Sequence, residues 1–236
     1  MKYRNLINGE YNLLELMFKH SNILVGFNEL KVSREEFYLK LQSHLSSLYD
    51  ELESFISYHP SFRATLQPWK KQTNNMLVDR MIKYTSEADV GPMASVAGAY
   101  ADELLEIAGK YSGSAFIENG GDIALRNKEE VSMMIYPGWG SFDSKVSIKI
   151  PKGQWGIASS SGLFGHSLSH GQADMISVLA ENSIRADSFA TAIANQIVPG
   201  CEPLEILNRY SNLDAVLIIW KGKIWYKGDF ELVFDK

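Results

Sequence analysis

The chain contains a single cysteine, Cys201, among its 236 residues. One thiol excludes an intrachain disulfide framework, and a cysteine-rich zinc site or an iron–sulfur cluster cannot be built from this chain alone. Proline is scarce, with 7 residues, and the 18 glycines are close to the average for a folded protein. These numbers exclude collagen and low-complexity disorder. We therefore expect a folded protein of the cytoplasm, where disulfides are rare.

Long apolar runs are also absent. The longest charge-free stretch, from Gly153 to Ala173, contains five glycines and five serines, so it is too polar to span a bilayer. Near the N-terminus, Asn8, Glu10 and Asn12 interrupt the apolar segment that a signal peptide requires. We expect no membrane partner and no export.

The sequence has no basic segment either. Lys and Arg number 23 against 28 Asp and Glu, which gives a net charge of −5, and the basic residues are scattered singly. A nucleic-acid partner is therefore not expected. Hydrophobic residues make up 45% of the chain, and at this length they can fill the core of one large domain or two small ones.

Helical periodicity dominates the first half of the chain. Ser33 and Glu36 have the spacing of a capping box, and apolar residues follow at steps of three and four up to Phe55, before His59-Pro60 ends the pattern. This apolar stripe is typical of core packing and not of a cofactor site. The same periodicity predicts helices over 76–88 and from after Gly91-Pro92 to about Ala108.

Beyond residue 108 the hydrophobic period changes to that of strands. The strands predicted there cover residues 114–118, 123–126, 131–136, 145–150, 155–160, 173–180, 215–220 and 223–226, and two further helices cover 186–197 and 203–210. Two short strands, over residues 13–18 and 22–27, are predicted before the first helix. The short connections favour antiparallel neighbours. Strands followed by helices, once in each half of the chain, predict an α+β fold.

Three stretches have the side chains or the backbone to bind a ligand. The first is Asn119-Gly120-Gly121-Asp122, between two predicted strands. Its glycines allow a ligand to approach the backbone closely and place Asp122 at the mouth of a strand. The alternative is a plain hairpin turn, since Asn-Gly and Gly-Asp are common turn dipeptides.

The second stretch, residues 159–171, concentrates serine hydroxyls, glycine N–H groups and two histidines in one loop. Ser160, Ser161 and Gly162 can donate hydrogen bonds to phosphate oxygens. His166 is a candidate general base, because the reference pKa of histidine lies near neutrality. The alternative is a flexible surface loop, although the apolar residues within the stretch favour a loop that contacts a ligand.

The third stretch enters the helix predicted over 186–197. Asp187 and Thr191 are four residues apart and share one face at the start of that helix. A carboxylate with a hydroxyl suits Mg²⁺, which takes few protein ligands and completes its shell with water and phosphate oxygens. The alternatives are that Asp187 caps the helix and that Thr191 bonds back to a carbonyl one turn earlier.

Taken in order, these stretches resemble the ApbE-like superfamily, whose characterised members are FAD:protein FMN transferases. Val90–Asp102 is similar to the family's small-residue helix, which ends in Gly-Tyr-Ala and an Asp. Asn119–Asp122 is similar to its Gly-Gly-Asp turn, Ser160–Gly162 to its Thr-Ser-Gly, and the segment around His166 to its histidine loop. With His59-Pro60-Ser61-Phe62, the sequence is more similar still to an uncharacterised cytoplasmic branch of the superfamily.

The resemblance implies a duplicated T-fold. Residues 1–236 would form one ApbE-like domain of two intertwined halves, with antiparallel sheets, helices packed on one face, and FAD between the halves. In the transferases Mg²⁺ neutralises the FAD pyrophosphate, a hydroxyl of an acceptor protein attacks it, and AMP is released while FMN stays on the acceptor. The implied metal ligands are Asp187 and Thr191, and the implied catalytic residues are His166 and Asp187. The implied cofactor-binding residues are Met93, Asn119, Gly120, Gly121, Asp122, Ser160, Ser161, Gly162 and His166.

The sequence departs from the transferases in two motifs. It has Ala97 where they carry a Lys before the Gly of Lys-Gly-Tyr-Ala, and Ser167–Gly171 where their histidine loop continues into Asp-Pro. One interpretation is an enzyme that uses Mg²⁺ to cleave FAD and passes FMN to a protein or to water. The other is a non-catalytic flavin or nucleotide-binding module that acts with a partner in redox or sulfur metabolism. A scaffold without a ligand is disfavoured, because Gly and Ser occupy so many of the motif positions.

Overall fold

An eight-stranded antiparallel sheet forms the centre of the fold. The computed structural model describes residues 7–8, 11–71, 73–135, 145–160 and 171–235. Strands within these ranges are β1 (Ile7–Asn8), β2 (Asn12–Phe18), β3 (Ser21–Phe27), β4 (Ala115–Asn119), β5 (Asp122–Asn127), β6 (Val131–Ile135), β7 (Lys145–Ile150), β8 (Gly153–Ser160), β9 (Met175–Ala180), β10 (Ala215–Trp220), β11 (Lys223–Gly228) and β12 (Leu232–Asp235). Helices are α1 (Arg34–Tyr58), α2 (Ser61–Ala64), α3 (Met76–Glu87), α4 (Val96–Tyr111), α5 (Ser183–Gln196) and α6 (Pro203–Arg209), and a 3₁₀ turn, Pro92–Ser95, precedes α4.

The large sheet repeats one order of elements. Its strands run β11-β10-β9-β8-β5-β4-β3-β2, and β1-β6-β7-β12 form a smaller sheet. In each half of the large sheet, a pair of strands is followed by helices and by a second pair. The halves meet where β5 pairs with β8, with Ile123 opposite Ile157. The predicted α+β class is confirmed, and this order is that of a duplicated T-fold; that residues 1–236 are one domain stays a prediction.

Helices cover one face of the large sheet and the small sheet covers the other. α1, α3 and α4 bury residues such as Phe37 against β2 to β5, and α5 and α6 bury residues such as Ile193 against β8 to β10. Side chains alternate between the two faces of a strand. Along β4, therefore, Ile117 faces the helices while Phe116 packs toward the small sheet. The alternation gives three apolar clusters in one layered core.

The helices predicted in the first half are present. The Ser33 hydroxyl accepts a hydrogen bond from the Glu36 N–H at 3.1 Å, as the capping-box spacing predicts, and α1 ends at Tyr58, just before His59-Pro60. Within the ranges given above, no helix combines the length and the hydropathy needed to cross a bilayer.

Two features differ from the sequence-based expectation. Helix α5 begins at Ser183, three residues before the predicted start, because the Asn182 side chain accepts a hydrogen bond from the Arg185 N–H at 2.9 Å and caps it there. The chain also continues beyond the hairpin of β10 and β11 into β12, which pairs with β7. Local periodicity does not reveal this pairing, because β7 and β12 are far apart in sequence.

Gly156 on β8 allows the start of α5 to approach the large sheet. A Cβ atom on Gly156 would lie 1.9 Å from the carbonyl carbon of Asn182 and 2.2 Å from the Ser183 nitrogen. Both neighbours are backbone atoms, so they cannot move without shifting the helix. The glycine therefore sets the distance between β8 and α5.

We expect Gly156→Ala to lower the free energy of unfolding by about 3 kcal/mol or more, because it forces α5 away from the sheet. Urea denaturation measures the effect. Gly200→Ala is the matched control, since nothing lies within 4 Å of its Cβ and only its φ of 88° opposes the change; it should cost about 1 kcal/mol. Equal losses in the two variants would show that the close approach is unimportant.

Candidate functional site

The described parts of the sequence motifs meet where the two halves of the large sheet join. We call this place the seam: the junction of β5 and β8 together with α4 and α5, which pack over it. Because β5 and β8 are antiparallel, the start of β5 at Asp122 lies beside the end of β8 at Ser160. Asp187 reaches the seam from α5, and its charge acts directly on Asp122. The fold thus unites residues that are far apart in sequence: Gly98 and Asp187, which are hydrogen-bonded, are 89 positions apart.

The turn between β4 and β5 is a glycine-dependent hairpin. Gly120 has a φ of 70° and Gly121 a φ of 109°, in the left-handed region that favours glycine. The Gly121 N–H donates to Glu118 Oε1 at 3.0 Å, which fixes the second glycine. No atom lies within 4 Å of a Cβ placed on Gly120. Residues 119–122 therefore form a hairpin turn, as the alternative interpretation of this stretch predicts. The turn also leaves open space beside Gly120.

Asn119 joins the turn to the small-residue helix. Its side chain is buried, and Nδ2 donates to the Ala97 carbonyl at 3.2 Å. Ala97, which stands where the transferases carry Lys, thus contributes its backbone to the seam. Met93 lies in the 3₁₀ turn before α4 and is partly buried against the first helical core.

Asp187 lies in the second turn of α5. The prediction that Asp187 stands at the start of the helix is wrong, because Asn182 caps the helix and Asp187 follows Ser183 by four residues. Its Oδ2 accepts a hydrogen bond from the Gly98 N–H at 3.0 Å, so the carboxylate touches α4. A Cβ on Gly98 would lie 2.4 Å from the Ser183 carbonyl oxygen. Glycine is therefore needed where α4 and α5 come closest.

Thr191 is buried one turn further along the same face of α5. The hydroxyl of this helix that bonds back to a carbonyl is that of Ser188, which donates to the Ile184 carbonyl at 2.8 Å. Among the described hydrogen bonds none has Thr191 Oγ1 as donor, so the back-bonding alternative has no support. Its hydroxyl and the Asp187 carboxylate share the face that leads to the seam.

Carboxylates at the seam oppose one another's ionisation. Burial raises the pKa of Asp187 to about 7, the nearby Asp102 raises it too, and the hydrogen bond from Gly98 acts the other way. Burial also raises the pKa of Asp122 well above its ordinary value. The negative charges of Asp187 and Glu118 raise it further. Carboxyl groups arranged in this way favour a bound cation, because a cation offsets the cost of burying their negative charge and the repulsion between them.

Ser160 has a buried hydroxyl at the end of β8. Its side chain is 4% exposed, and Oγ has no hydrogen-bond partner among the described residues. The neighbouring Ser159 points to the other face of the sheet, where its Oγ bonds to Ser177 Oγ at 3.3 Å. Ser161, Gly162 and His166 lie outside the described residues, so their predicted roles stay predictions.

Two acidic residues of the site were not among the predicted site residues, and Asp102 was named only as the end of the small-residue helix motif. Glu118 is buried and holds the glycine turn, and Asp102 is buried against the first residues of α5. Asp102 had a detectable signal, because it lies on the apolar face of α4 that also carries Leu105. A charged residue on a buried helix face needs a specific partner.

Of the aromatic residues near the motifs, Trp139, Trp155 and Phe164, only Trp155 lies within the described residues. Trp155 packs on Phe230 with ring centroids 5.1 Å apart, and its Nε1 donates to the Pro151 carbonyl at 2.9 Å, on the side of the small sheet. Trp155 is therefore partly buried against the core on the side of the small sheet. Trp139 and Phe164 lie outside the described residues.

The residues of the seam fit the ligands that the resemblance implies. In the described part of the chain, no three His, Cys, Asp or Glu side chains are grouped as a metal centre. Asp187 and Thr191 form the sparser donor set that Mg²⁺ uses when phosphate oxygens and water complete its shell. The unpartnered Ser160 hydroxyl and the open glycine turn suit an oxygen-rich ligand beside that cation.

The family model described as AbpE bacteria matches residues 4–221. The chain belongs to this ApbE-like family. A UPF0280 protein of Methanocaldococcus jannaschii is 32% identical over 225 residues, which cover 90% of this chain and 89% of the relative. A UPF0280 protein of Methanothermobacter thermautotrophicus is 39% identical over 147 residues; the match covers 61% of this chain and only 57% of that relative.

The ApbE-like fold is also found by comparison with solved structures. The flavinyl transferase ApbE of Pseudomonas stutzeri, in its apo form, superposes with a TM-score of 0.61 and 12% identity, over 96% of this chain and 95% of the other. At this identity the likeness concerns the fold. It agrees with the family assignment and with the antiparallel sheets described above.

The Asp187 pKa predicts a pH-dependent stability. The carboxyl titrates near 3.8 when unperturbed and near 7 in the folded protein, so the folded state binds the proton more tightly. This contribution to stability is fully present below about pH 4 and is lost as the pH rises through 7. Asp187→Asn removes the titration, so its gain in the stability of the metal-free protein should be at least about 1 kcal/mol larger at pH 8 than at pH 5.

Urea denaturation at both pH values, with EDTA present, checks this expectation. Glu205→Gln, an exposed carboxyl on α6, is the control and should change neither value. A gain for Asp187→Asn of the same size at both pH values would mean that titration of this group is not its cause.

Proposed function

We propose that this chain binds FAD at the seam and cleaves its pyrophosphate with the help of Mg²⁺, as an FMN transferase or an FAD pyrophosphatase. The observation that carries the proposal is the convergence of Asp187 and Thr191 with the Asn119–Asp122 turn and the Ser160 hydroxyl. Family membership supports it, and the similar solved protein is named a flavinyl transferase.

In this proposal, the Asp187 carboxylate and the Thr191 hydroxyl would hold the cation. When bound, Mg²⁺ supplies positive charge that offsets the negative charge of the pyrophosphate. The Gly98 N–H already orients Asp187 by its hydrogen bond to Oδ2 at 3.0 Å. The burial that raises the pKa of Asp187 to about 7 would be offset once a cation is near, so the carboxylate would ionise on binding.

The remaining groups of the seam would position the nucleotide. The Gly120–Gly121 turn has no side chain to block a ligand, and Ser160 Oγ is free among the described residues to donate a hydrogen bond. Asn119 holds the turn to the Ala97 carbonyl of α4, which keeps the two walls of the seam together. The nucleotide would make these contacts both before and during the reaction, so they would contribute to its binding.

Bond cleavage requires an acceptor oxygen. A hydroxyl of an acceptor protein, or water, would attack the phosphorus of the FMN half, forming a new P–O bond as the pyrophosphate P–O bond breaks and AMP leaves. His166, on the family resemblance, would take the proton from the attacking hydroxyl. The product is FMN esterified to the protein, or free FMN when water is the acceptor.

Titration of the purified protein with FAD, with and without Mg²⁺, tests the proposal directly. Flavin fluorescence reports binding, and AMP and FMN are quantified in the same samples. We expect Mg²⁺-dependent AMP release by the wild type and at least a hundredfold slower release by Asp187→Asn, because one of two protein ligands loses its charge; about 3 kcal/mol of lost transition-state stabilisation corresponds to that factor.

Asp214→Asn is the matched control. Burial raises the pKa of Asp214 as well, but this residue precedes β10 and faces Glu181 and Arg185, so the variant should keep wild-type turnover. FAD binding without AMP release would favour the non-catalytic flavin module. No binding of FAD in either condition would refute the proposal.

Ser160→Ala tests the flavin contact separately from the chemistry. Loss of one hydrogen bond of about 0.5–1.5 kcal/mol should weaken FAD binding about 2- to 12-fold. The stability of the free protein should not fall, because the hydroxyl has no partner among the described residues. Ser159→Ala, whose hydroxyl bonds to Ser177 on the opposite face, should leave FAD affinity unchanged; similar losses in both variants would contradict the placement of FAD.

A further inference from the structure

Asp102 holds the first turn of α5 through two backbone hydrogen bonds. Its Oδ1 accepts from the Ser183 N–H at 2.9 Å, and its Oδ2 accepts from the Ile184 N–H at 3.0 Å. These N–H groups belong to the first two residues of α5 and have no partner within the helix. One carboxylate on α4 therefore fixes the end of a neighbouring helix.

Capping of α5 does not require a charged group at the position of Asp102. Asn182 already caps α5 from within the chain through its bond to the Arg185 N–H. Neutral residues cap helices as well as carboxylates do, and Asp102 is 3% exposed, so its charge is costly to bury. Burial accordingly raises the pKa of Asp102 to about 6, against the pull of the two N–H groups and of Arg80.

Other charged residues keep the carboxylate in place. Arg80 of α3 lies 3.6 Å from Asp102 Oδ2 and also pairs with Glu103, which His44 of α1 approaches at 3.9 Å. Asp102 is thus the inner end of a polar chain that links three helices to α5. Such a network restrains the position of the carboxylate as well as compensating its charge.

The two hydrogen bonds to Asp102 hold the helix that carries the proposed metal ligands. Asp187 follows Ser183 by four residues and Thr191 follows by eight, so both lie within about 12 Å of the clamped end along the helix axis. Gly98, four residues before Asp102 on α4, donates to Asp187 itself. Two contacts one turn apart on α4 therefore set both the position and the rotation of α5.

We propose that Asp102 is a positioning residue, which presents Asp187 and Thr191 to the cation by holding the first turn of α5. This inference rests on the proposed function, because it concerns the same metal site. It assigns a role to a carboxylate whose oxygens bind backbone N–H groups of α5 and which is not one of the proposed metal ligands.

Binding of Mn²⁺ alone to the whole chain, followed by water-proton relaxation, tests the inference without flavin or turnover. Asp102→Asn removes the charge and one acceptor, whereas Asp102→Glu keeps the charge and displaces the carboxylate by one methylene group. Because residues that orient metal ligands typically contribute 10- to 100-fold to metal affinity, we expect both variants to bind Mn²⁺ at least about tenfold more weakly. Glu106→Gln, which removes a carboxylate of α4 that pairs with Arg126, should bind as the wild type does.

Amide hydrogen exchange in the metal-free proteins supplies the second readout. We expect faster exchange at Ser183 and Ile184 in both Asp102 variants, and near-ultraviolet circular dichroism checks that each variant is folded. If Asp102→Asn does not fold, Asp102→Glu carries the test, since it keeps the charge beside Arg80.

Wild-type affinity in Asp102→Glu would overturn the inference in favour of a purely electrostatic effect. Wild-type affinity in Asp102→Asn would overturn it in favour of a structural cap. If the wild type itself binds no Mn²⁺, the proposed metal site is refuted, and the role of Asp102 is refuted with it. This outcome differs from the two above because it is seen in the wild-type protein, without any substitution.

Discussion

The close approach of α4 to α5 is the constraint on which the site depends. At Gly98 the helices are so near that any Cβ would meet the Ser183 carbonyl oxygen at 2.4 Å. The same glycine donates its N–H to Asp187, and one turn later Asp102 holds the first N–H groups of α5. Gly156 repeats the requirement from the sheet, directly under Asn182. Without these close contacts the carboxylate of one half would not reach the turn of the other.

This arrangement brings negative charge together inside the protein. Burial and the negative charges of Asp187 and Glu118 raise the pKa of Asp122, and Asp102 acts in the same direction on Asp187. A chain optimised only for stability would avoid such a cluster, because each buried charge is costly. Sites that bind cations commonly retain such a cluster of carboxylates, since the bound cation offsets the repulsion that the protein alone leaves uncompensated. The electrostatics of the seam therefore suit the cation of the proposed function.

Duplication explains why the site lies at a junction. Each half of the large sheet supplies strands and helices of its own core, but neither half has the full set of polar groups. The first half contributes Asn119, Asp122 and Gly98, and the second contributes Ser160 and Asp187. A ligand at the seam would therefore contact both halves and add to the pairing of β5 with β8.

The sequence by itself determined most of the helices and strands, because hydrophobic period and capping residues act over a few residues. The Ser33 cap and the small-residue helix after Gly91-Pro92 are examples. The resemblance also selected most of the residues that meet at the seam. Only the tertiary structure decided that α5 begins at Ser183, that the small sheet pairs β7 with β12, and that Asp102 holds α5. These features depend on contacts between segments distant in sequence, and no local pattern records which distant partner will compensate a buried charge or complete a sheet.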